Sequence, residues 1–390
     1  MAGTRIAMAL RQRGYVGDIR VLEAEEVRPY DKPPLSKEVI EASTAAEPPE
    51  LLPQELADSL NLNVELGVEV TQLSPRDNTV VTAEGEVIPY KTLIIATGSR
   101  PRQLPGGSDL PGVYTLRTRD DAINIREALT SDPSHVVVIG AGFIGSEFAA
   151  VARQRGHNVT IIEAMDIPMS HLFGPEVGKE VSSIHALNGT EVHAGARFAR
   201  FVGDHRVEGI ELEDGRYLPA ELVVVGIGVV PNVDWLQSSE IPLDNGIPVD
   251  EDFRVEGQNN IYAIGDIALR THPLLNIRTR IEHWTNAGEQ AEELAAVLTN
   301  TSRRSPQLPY VWSDQYGSRF QIIGRPSMGE LTYRYGDVAS GAMFALYADA
   351  KGQPIGAVAF NDNKAITRFR KCHKKNGTAE ELVAELTPTL

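Results

Sequence analysis

The chain has 390 residues, 42% hydrophobic and 23% charged, an ordinary globular composition long enough for two or three domains. Its formal net charge of −16 excludes generic nucleic-acid binding, which needs a basic footprint. No apolar run reaches the roughly 18 residues of a membrane helix, the N-terminus lacks a signal-peptide layout, and the single cysteine, Cys372, excludes a disulfide framework or paired-thiol redox centre. A cytoplasmic protein without membrane or nucleic-acid partners is the expectation.

In chain order, residues 1–24 read as a helix stopped at Gly14 and a strand ending in Glu23. Thr92 to Ser99 (TLIIATGS) is an apolar strand ending in small residues, and Leu222 to Val229 (LVVVGIGV) resembles it. Between them, residues 135–163 carry the clearest local signal. HVVVI reads as a buried parallel strand running into Gly140-Ala-Gly142-Phe143-Ile144-Gly145; a helix follows, Gly156 stops it, and the next strand ends in Glu163. Strand, G-x-G-x-x-G, helix, strand and terminal acid make a dinucleotide-binding unit. Gly140 permits the tight turn, Gly142 lets the backbone approach a pyrophosphate, and Gly145 lets helix and strand pack closely. The phosphates face the unpaired N–H groups of the helix N-terminus. Glu163 can accept from a ribose 2′-OH, and no arginine follows it to hold a 2′-phosphate, so NADH is expected over NADPH.

The N-terminus repeats the back of that unit. RQRG at 11–14 recurs at 153–156, an offset of 142 that places Gly3 on Gly145, and VLEA at 21–24 matches IIEA at 161–164. Residues 1–24 therefore read as the rear of a second dinucleotide unit, with Glu23 as its acid. The counterparts of its first strand and first two glycines would fall before Met1, so the expectation is a natural start further upstream. The IYAIGD strand at 261–266 ends in Gly265-Asp266, where an acid can bind sugar-like hydroxyls.

Seven motifs in order complete the picture: RPYDKPPLSKE (28–38), ATGSRPRQ (96–103), GAGFIGS (140–146), GIGVVPNV (226–233), NIYAIGDI (260–267), IEHWTNAG (281–288) and YVWSDQYGS (310–318). With them nearly the whole chain resembles the ferredoxin reductase family of FAD/NAD oxidoreductases, which includes rubredoxin and putidaredoxin reductases. The resemblance implies an α/β fold of two Rossmann-like dinucleotide-binding domains plus a C-terminal α/β domain. The FAD domain would span 1–112 and 245–308, the inserted NAD domain 113–244, and the C-terminal domain 309–390, after a linker at 302–310.

The resemblance also implies the site. Lys37 would lie near flavin N5 and pair with Glu282. FAD would be held by Gly3, Glu23, Val70, Thr97, Gly98, Arg117 and Asp266, with Trp284 and Trp312 flanking the ring. NADH would be held by Gly140, Gly142, Phe143, Ile144, Gly145, Glu163 and Gly228, with Glu147 facing the nicotinamide. The residues after Lys37 contain no cysteine, which removes a thiol route and leaves a ferredoxin or rubredoxin-like iron–sulfur protein as acceptor. Lys364, Arg368, Arg370, Lys371, Lys374 and Lys375, with no acid among residues 363–375, could steer such a partner. A truncated relative that binds NAD without FAD, and an NADH-sensing interaction protein of the apoptosis-inducing-factor type, remain alternatives. The oligomeric state stays open.

Overall fold

The computed structural model describes residues 1–41, 46–107, 109–131 and 133–386. By compactness the chain divides into two units: Met1–Lys32, Pro48–Arg100 and Val229–Pro309 form the first, and Pro33–Glu47, Pro101–Gly228 and Tyr310–Leu390 the second.

In the first unit, the helix Ala2–Gln12 buries Ile6, Ala9 and Leu10 in a cluster with Leu294 of the helix Trp284–Leu298. Gly14 ends it in the left-handed region, φ 83°, and the Tyr15 N–H returns to the Leu10 carbonyl at 3.0 Å. Parallel strand pairs are Arg20–Glu23 with Asn63–Leu66, Leu93–Ile95 with Ile261–Ala263, and Ile247–Pro248 with Ala268–Thr271. A three-stranded antiparallel sheet, Val70–Ser74, Thr79–Thr82 and Val87–Pro89, completes the main elements.

In the second unit, a five-stranded parallel sheet runs in the order Glu191–Ala194, Asn158–Glu163, His135–Ile139, Leu222–Val225, Val113–Thr115. His135–Ile139 is central and buried after its first residue, as its unbroken valine run requires. The helix Phe143–Gln154 begins inside the glycine motif, three residues before the sequence places it. From Tyr310 onward the chain forms a five-stranded antiparallel sheet and the helices Asn363–Lys374 and Ala379–Leu386.

The RQRG repeat is a duplicated helix stop. Arg11 and Arg153 each donate to the carbonyl four residues on, Tyr15 at 2.7 Å and His157 at 3.1 Å. Each also reaches a carbonyl in a later segment, Leu60 at 2.8 Å and Asn188 at 3.2 Å.

The compact division departs from the expected boundaries for identifiable reasons. Leu104 and Leu110 pack on Phe201 and Val207, which draws residues 101–112 into the second unit. Val233, Leu236 and Ile241 pack with Leu73 and Ile261, which keeps residues 229–244 in the first. Pro33–Glu47 belongs to the second unit because arginines grip it. Arg126 Nη1 donates to the carbonyls of Val39 and Ala46 at 3.3 and 3.0 Å, Arg155 Nη1 to that of Ile40 at 2.9 Å, and Arg119 holds the Glu47 carboxylate through two nitrogens. No helix of the described residues is long and apolar enough to cross a membrane.

Candidate active site

The glycine turn follows the central strand of the second unit. Gly140 has φ 102°, and a Cβ there would stand 2.5 Å from the Gly226 carbonyl oxygen. A Cβ on Gly145 would meet the Gly140 carbonyl oxygen at 2.1 Å, so this position excludes any side chain. At Gly142 the nearest atom to an added Cβ is 3.8 Å away, and no side chain caps the helix there. Open space in front of uncapped helical N–H groups is the form of a phosphate cradle. Glu163, at the end of its strand, accepts from the Ala141 N–H at 2.9 Å and from the Met165 N–H at 2.9 Å. Ile144 is exposed, whereas Phe143 packs against the cluster that contains Phe173 and Phe320. Gly228, φ 91°, accepts from the Arg102 N–H at 2.9 Å.

One turn into the same helix lies a buried ion pair. Lys37 Nζ is 3.1 Å from Glu147 Oε2, with side-chain exposures of 13% and 4%. Ser36 Oγ donates to the same oxygen at 2.5 Å. Glu147 Oε1 accepts from Ser313 Oγ at 2.8 Å and from the Asp314 N–H at 3.2 Å. Burial pushes the Glu147 carboxyl up from its ordinary range, and the Lys37 ammonium and the two serine hydroxyls oppose that shift. Beside it, Ser146 Oγ lies 3.2 Å from His185 Nε2, and His185 Nδ1 lies 2.9 Å from the Tyr316 hydroxyl. Burial pushes His185 down to about 4, so its ring is neutral at pH 7.

This corrects the expected pairing. The partner of Lys37 is Glu147, and Glu282 is exposed and pairs with Arg280 at 2.5 Å. Glu147 lies in the stretch of its helix, residues 145–152, that is buried all round, where a carboxylate requires several donors. Arg280 Nη1 also donates to the Asp266 carbonyl at 2.7 Å, which joins Glu282 to the Gly-Asp motif.

The remaining predicted flavin-side residues have definite settings. In the first unit, Ser99 Oγ donates to Asp266 Oδ2 at 2.6 Å, and Trp284 Nε1 donates to Asp31 Oδ1 at 2.5 Å. Thr97 Oγ1 donates to the Asn232 carbonyl at 2.7 Å, and Gly98 has φ 65°. Gly3 would place a Cβ 3.5 Å from that of Ala96, an ordinary contact. Glu23 accepts from the Glu25 N–H at 3.3 Å, and Val70 opens its strand, half-buried. In the second unit, the Arg117 N–H donates to Asp121 at 2.9 Å, and Trp312 stacks on Tyr310 with centroids 6.1 Å apart.

Comparison with known proteins identifies this arrangement. The description "Pyridine nucleotide-disulphide oxidoreductase" matches residues 1–291, and "Reductase C-terminal" matches residues 310–385. The chain belongs to the pyridine nucleotide-disulphide oxidoreductase family. Rhodocoxin reductase of Rhodococcus erythropolis is 36% identical over 372 residues, covering 95% of this chain and 86% of the relative. The solved ferredoxin reductase for the CYP199A2 system from Rhodopseudomonas palustris superposes with a TM-score of 0.92 at 33% identity, across 98% of this chain and 94% of its own. A chain of the covalent putidaredoxin reductase–putidaredoxin complex gives 0.92 at 28%, across 98% and 96%.

FAD and NAD(P)H are the cofactors of this family, and the residues present fit both. The open face at Gly142 fits a pyrophosphate, and Glu163 offers a ribose acceptor. In the first unit, Arg28 leaves Nη1 buried with no hydrogen-bond partner among the described residues, a donor suited to an anionic phosphate.

Proposed function

We infer that this chain is a cytoplasmic FAD-dependent reductase that accepts hydride from NADH and delivers electrons singly to a ferredoxin or rubredoxin serving an oxygenase. When bound, FAD supplies the exchange between two-electron and one-electron transfer. Glu147 carries this reading: the carboxylate two residues beyond the last glycine of the nucleotide motif is the buried partner of the lysine in the PPLSK motif. A cation beside a flavin N5 edge favours the reduced, more negative ring. We assign that role to Lys37, and to Glu282 a supporting one through Arg280. Gly140, Gly142, Phe143, Ile144, Gly145, Glu163 and Gly228 are assigned to the pyridine nucleotide. Gly3, Glu23, Val70, Thr97, Gly98, Arg117, Asp266, Trp284 and Trp312 are assigned to FAD.

For the acceptor, the helix Asn363–Lys374 buries Ala365, Ile366, Phe369 and Cys372 and exposes Lys364, Arg368, Arg370 and Lys371. On a chain of net charge −16 this basic face would orient an acidic iron–sulfur protein. The named relatives are reductases of rhodocoxin, ferredoxin and putidaredoxin. The test is cytochrome reduction driven by NADH. Rapid reduction only on adding a [2Fe–2S] ferredoxin or a rubredoxin is expected; NADH oxidation without such transfer would refute the reading.

A further inference from the structure

The strand Tyr310–Gln315 turns Ser313 and Gln315 to one face, as its two-residue period dictates, and both side chains are buried. Asp314 points the other way and pairs with Arg319, Nε to Oδ1 at 2.6 Å. Gln315 Nε2 lies 3.1 Å from Ser313 Oγ, and Ser313 Oγ lies 2.8 Å from Glu147 Oε1. The directions of these bonds are fixed by chemistry. An ionised carboxylate can only accept, so the single hydroxyl proton of Ser313 points to Glu147. The hydroxyl must then accept from Gln315, whose amide NH₂ is the donor. The chain runs from Gln315 through Ser313 to the carboxylate, opposite the oxygen that faces Lys37.

We propose that Ser313 and Gln315, both in the C-terminal segment, are positioning residues for the Lys37–Glu147 pair, holding Glu147 ionised and turned toward the ammonium. Without the Ser313 hydroxyl, Oε1 would keep only the Asp314 N–H at 3.2 Å. The carboxylate would protonate more readily, and Lys37 would lose the charge of its buried partner. Other charged or titratable groups stand on the elements packed around this helix: Glu38 and Glu41 on the short helix after Lys37, Glu163 and His135 on the neighbouring strands, His185 behind Ser146, and Asp314, Tyr310 and Arg319 on the C-terminal hairpin. Arg153 lies on the helix itself, and Arg155 follows it as the C-cap. Among the described residues, Lys37 is the cation within ion-pair distance of Glu147.

The kinetic arm of the test rests on the reductase reading; the spectroscopic arm does not. In the purified full chain, the protonated-carboxyl infrared band lost in Glu147→Gln is titrated against pH in Ser313→Ala, Ser313→Thr and Gln315→Met. The expected result is a midpoint raised by about one pH unit in Ser313→Ala, raised less in Gln315→Met, and restored in Ser313→Thr. Stopped-flow reduction of the bound flavin at saturating NADH should show its acid limb moving by the same amount. If the infrared midpoint moves and the acid limb does not, the positioning role stands and the assignment of the Lys37–Glu147 pair to flavin reduction fails. An unchanged infrared midpoint in both Ser313→Ala and Gln315→Met, even with a lowered Tm, would overturn the proposal.

Discussion

Lys37 Nζ and Glu147 Oε2 lie 3.1 Å apart, and each is the other's counter-charge in a buried setting. Removing one partner of such a pair leaves an uncompensated charge, which costs about 3 kcal/mol or more. Lys37→Met is therefore expected to lower stability by about 3 kcal/mol in urea unfolding and to slow flavin reduction at saturating NADH at least about tenfold. Lys37→Met combined with Glu147→Gln should recover roughly half of the lost stability without recovering the rate. A normal reduction rate in the single variant would make Lys37 purely structural.

Glu163 is expected to govern nucleotide choice. Its carboxylate is already oriented by the Ala141 and Met165 N–H groups, and it would repel a 2′-phosphate. NADH is expected to exceed NADPH by about tenfold or more in kcat/KM, about 1.4 kcal/mol. Glu163→Ala should narrow the ratio; equal efficiencies in the parent protein would count against this role.

Two alanine substitutions separate binding from folding. Gly142→Ala meets nothing closer than 3.8 Å, so the Tm should hold while NADH affinity falls about tenfold or more, because the methyl fills the phosphate side of the turn. Gly145→Ala would force a Cβ to 2.1 Å from a backbone oxygen, so its Tm should drop sharply. Calorimetry and NADH titration together read both outcomes.

His185 makes stability depend on pH. Its folded value is pushed down to about 4 from an ordinary 6.5, so the unfolded chain binds the extra proton. Stability from this residue is complete above about pH 6.5 and is lost as pH falls toward 4, by about 3 kcal/mol at most. Urea midpoints between pH 7 and pH 4 should show that loss, and His185→Gln should flatten it. Glu147 acts in the opposite sense, since protonation relieves its burial, so the difference between the two proteins isolates the histidine.

Cys372 is buried and donates to the Thr378 carbonyl at 3.4 Å. Burial pushes its thiol up, away from the reactive thiolate. Cys372→Ser should leave NADH-driven flavin reduction unchanged in stopped flow. Loss of reduction would overturn the thiol-free route.

What could be read from the sequence was local. The glycine turn, its acid and the RQRG repeat each occupy one short stretch whose spacing carries its own geometry, and the structure renders the repeat down to matching arginine–carbonyl bonds. The environment of Glu147 could not be read in that way. Its donors come from residues 36–37 and 313–314, and no period links stretches so distant in the chain. The resemblance implied Lys37 with Glu282, but two matched motifs carry no distance between them. Arg280 was the better signal, two residues from Glu282 and so on the same face of extended backbone. The boundaries at 101 and 229 depended on which core Leu104 and Leu236 enter, and apolar identity alone does not say. Nothing local marked His185.

The three arginines that hold residues 33–47 also determine what can be transplanted as a piece. A chimaera with crossovers at 101 and 228 would import Arg119, Arg126 and Arg155 without the Val39, Ala46, Ile40 and Glu47 groups they grip. The recipient's own lysine segment would meet a foreign surface. The smallest graft that keeps the grip intact is non-contiguous: 33–47 must travel with 101–228, although more than fifty residues of the other unit separate them in the chain.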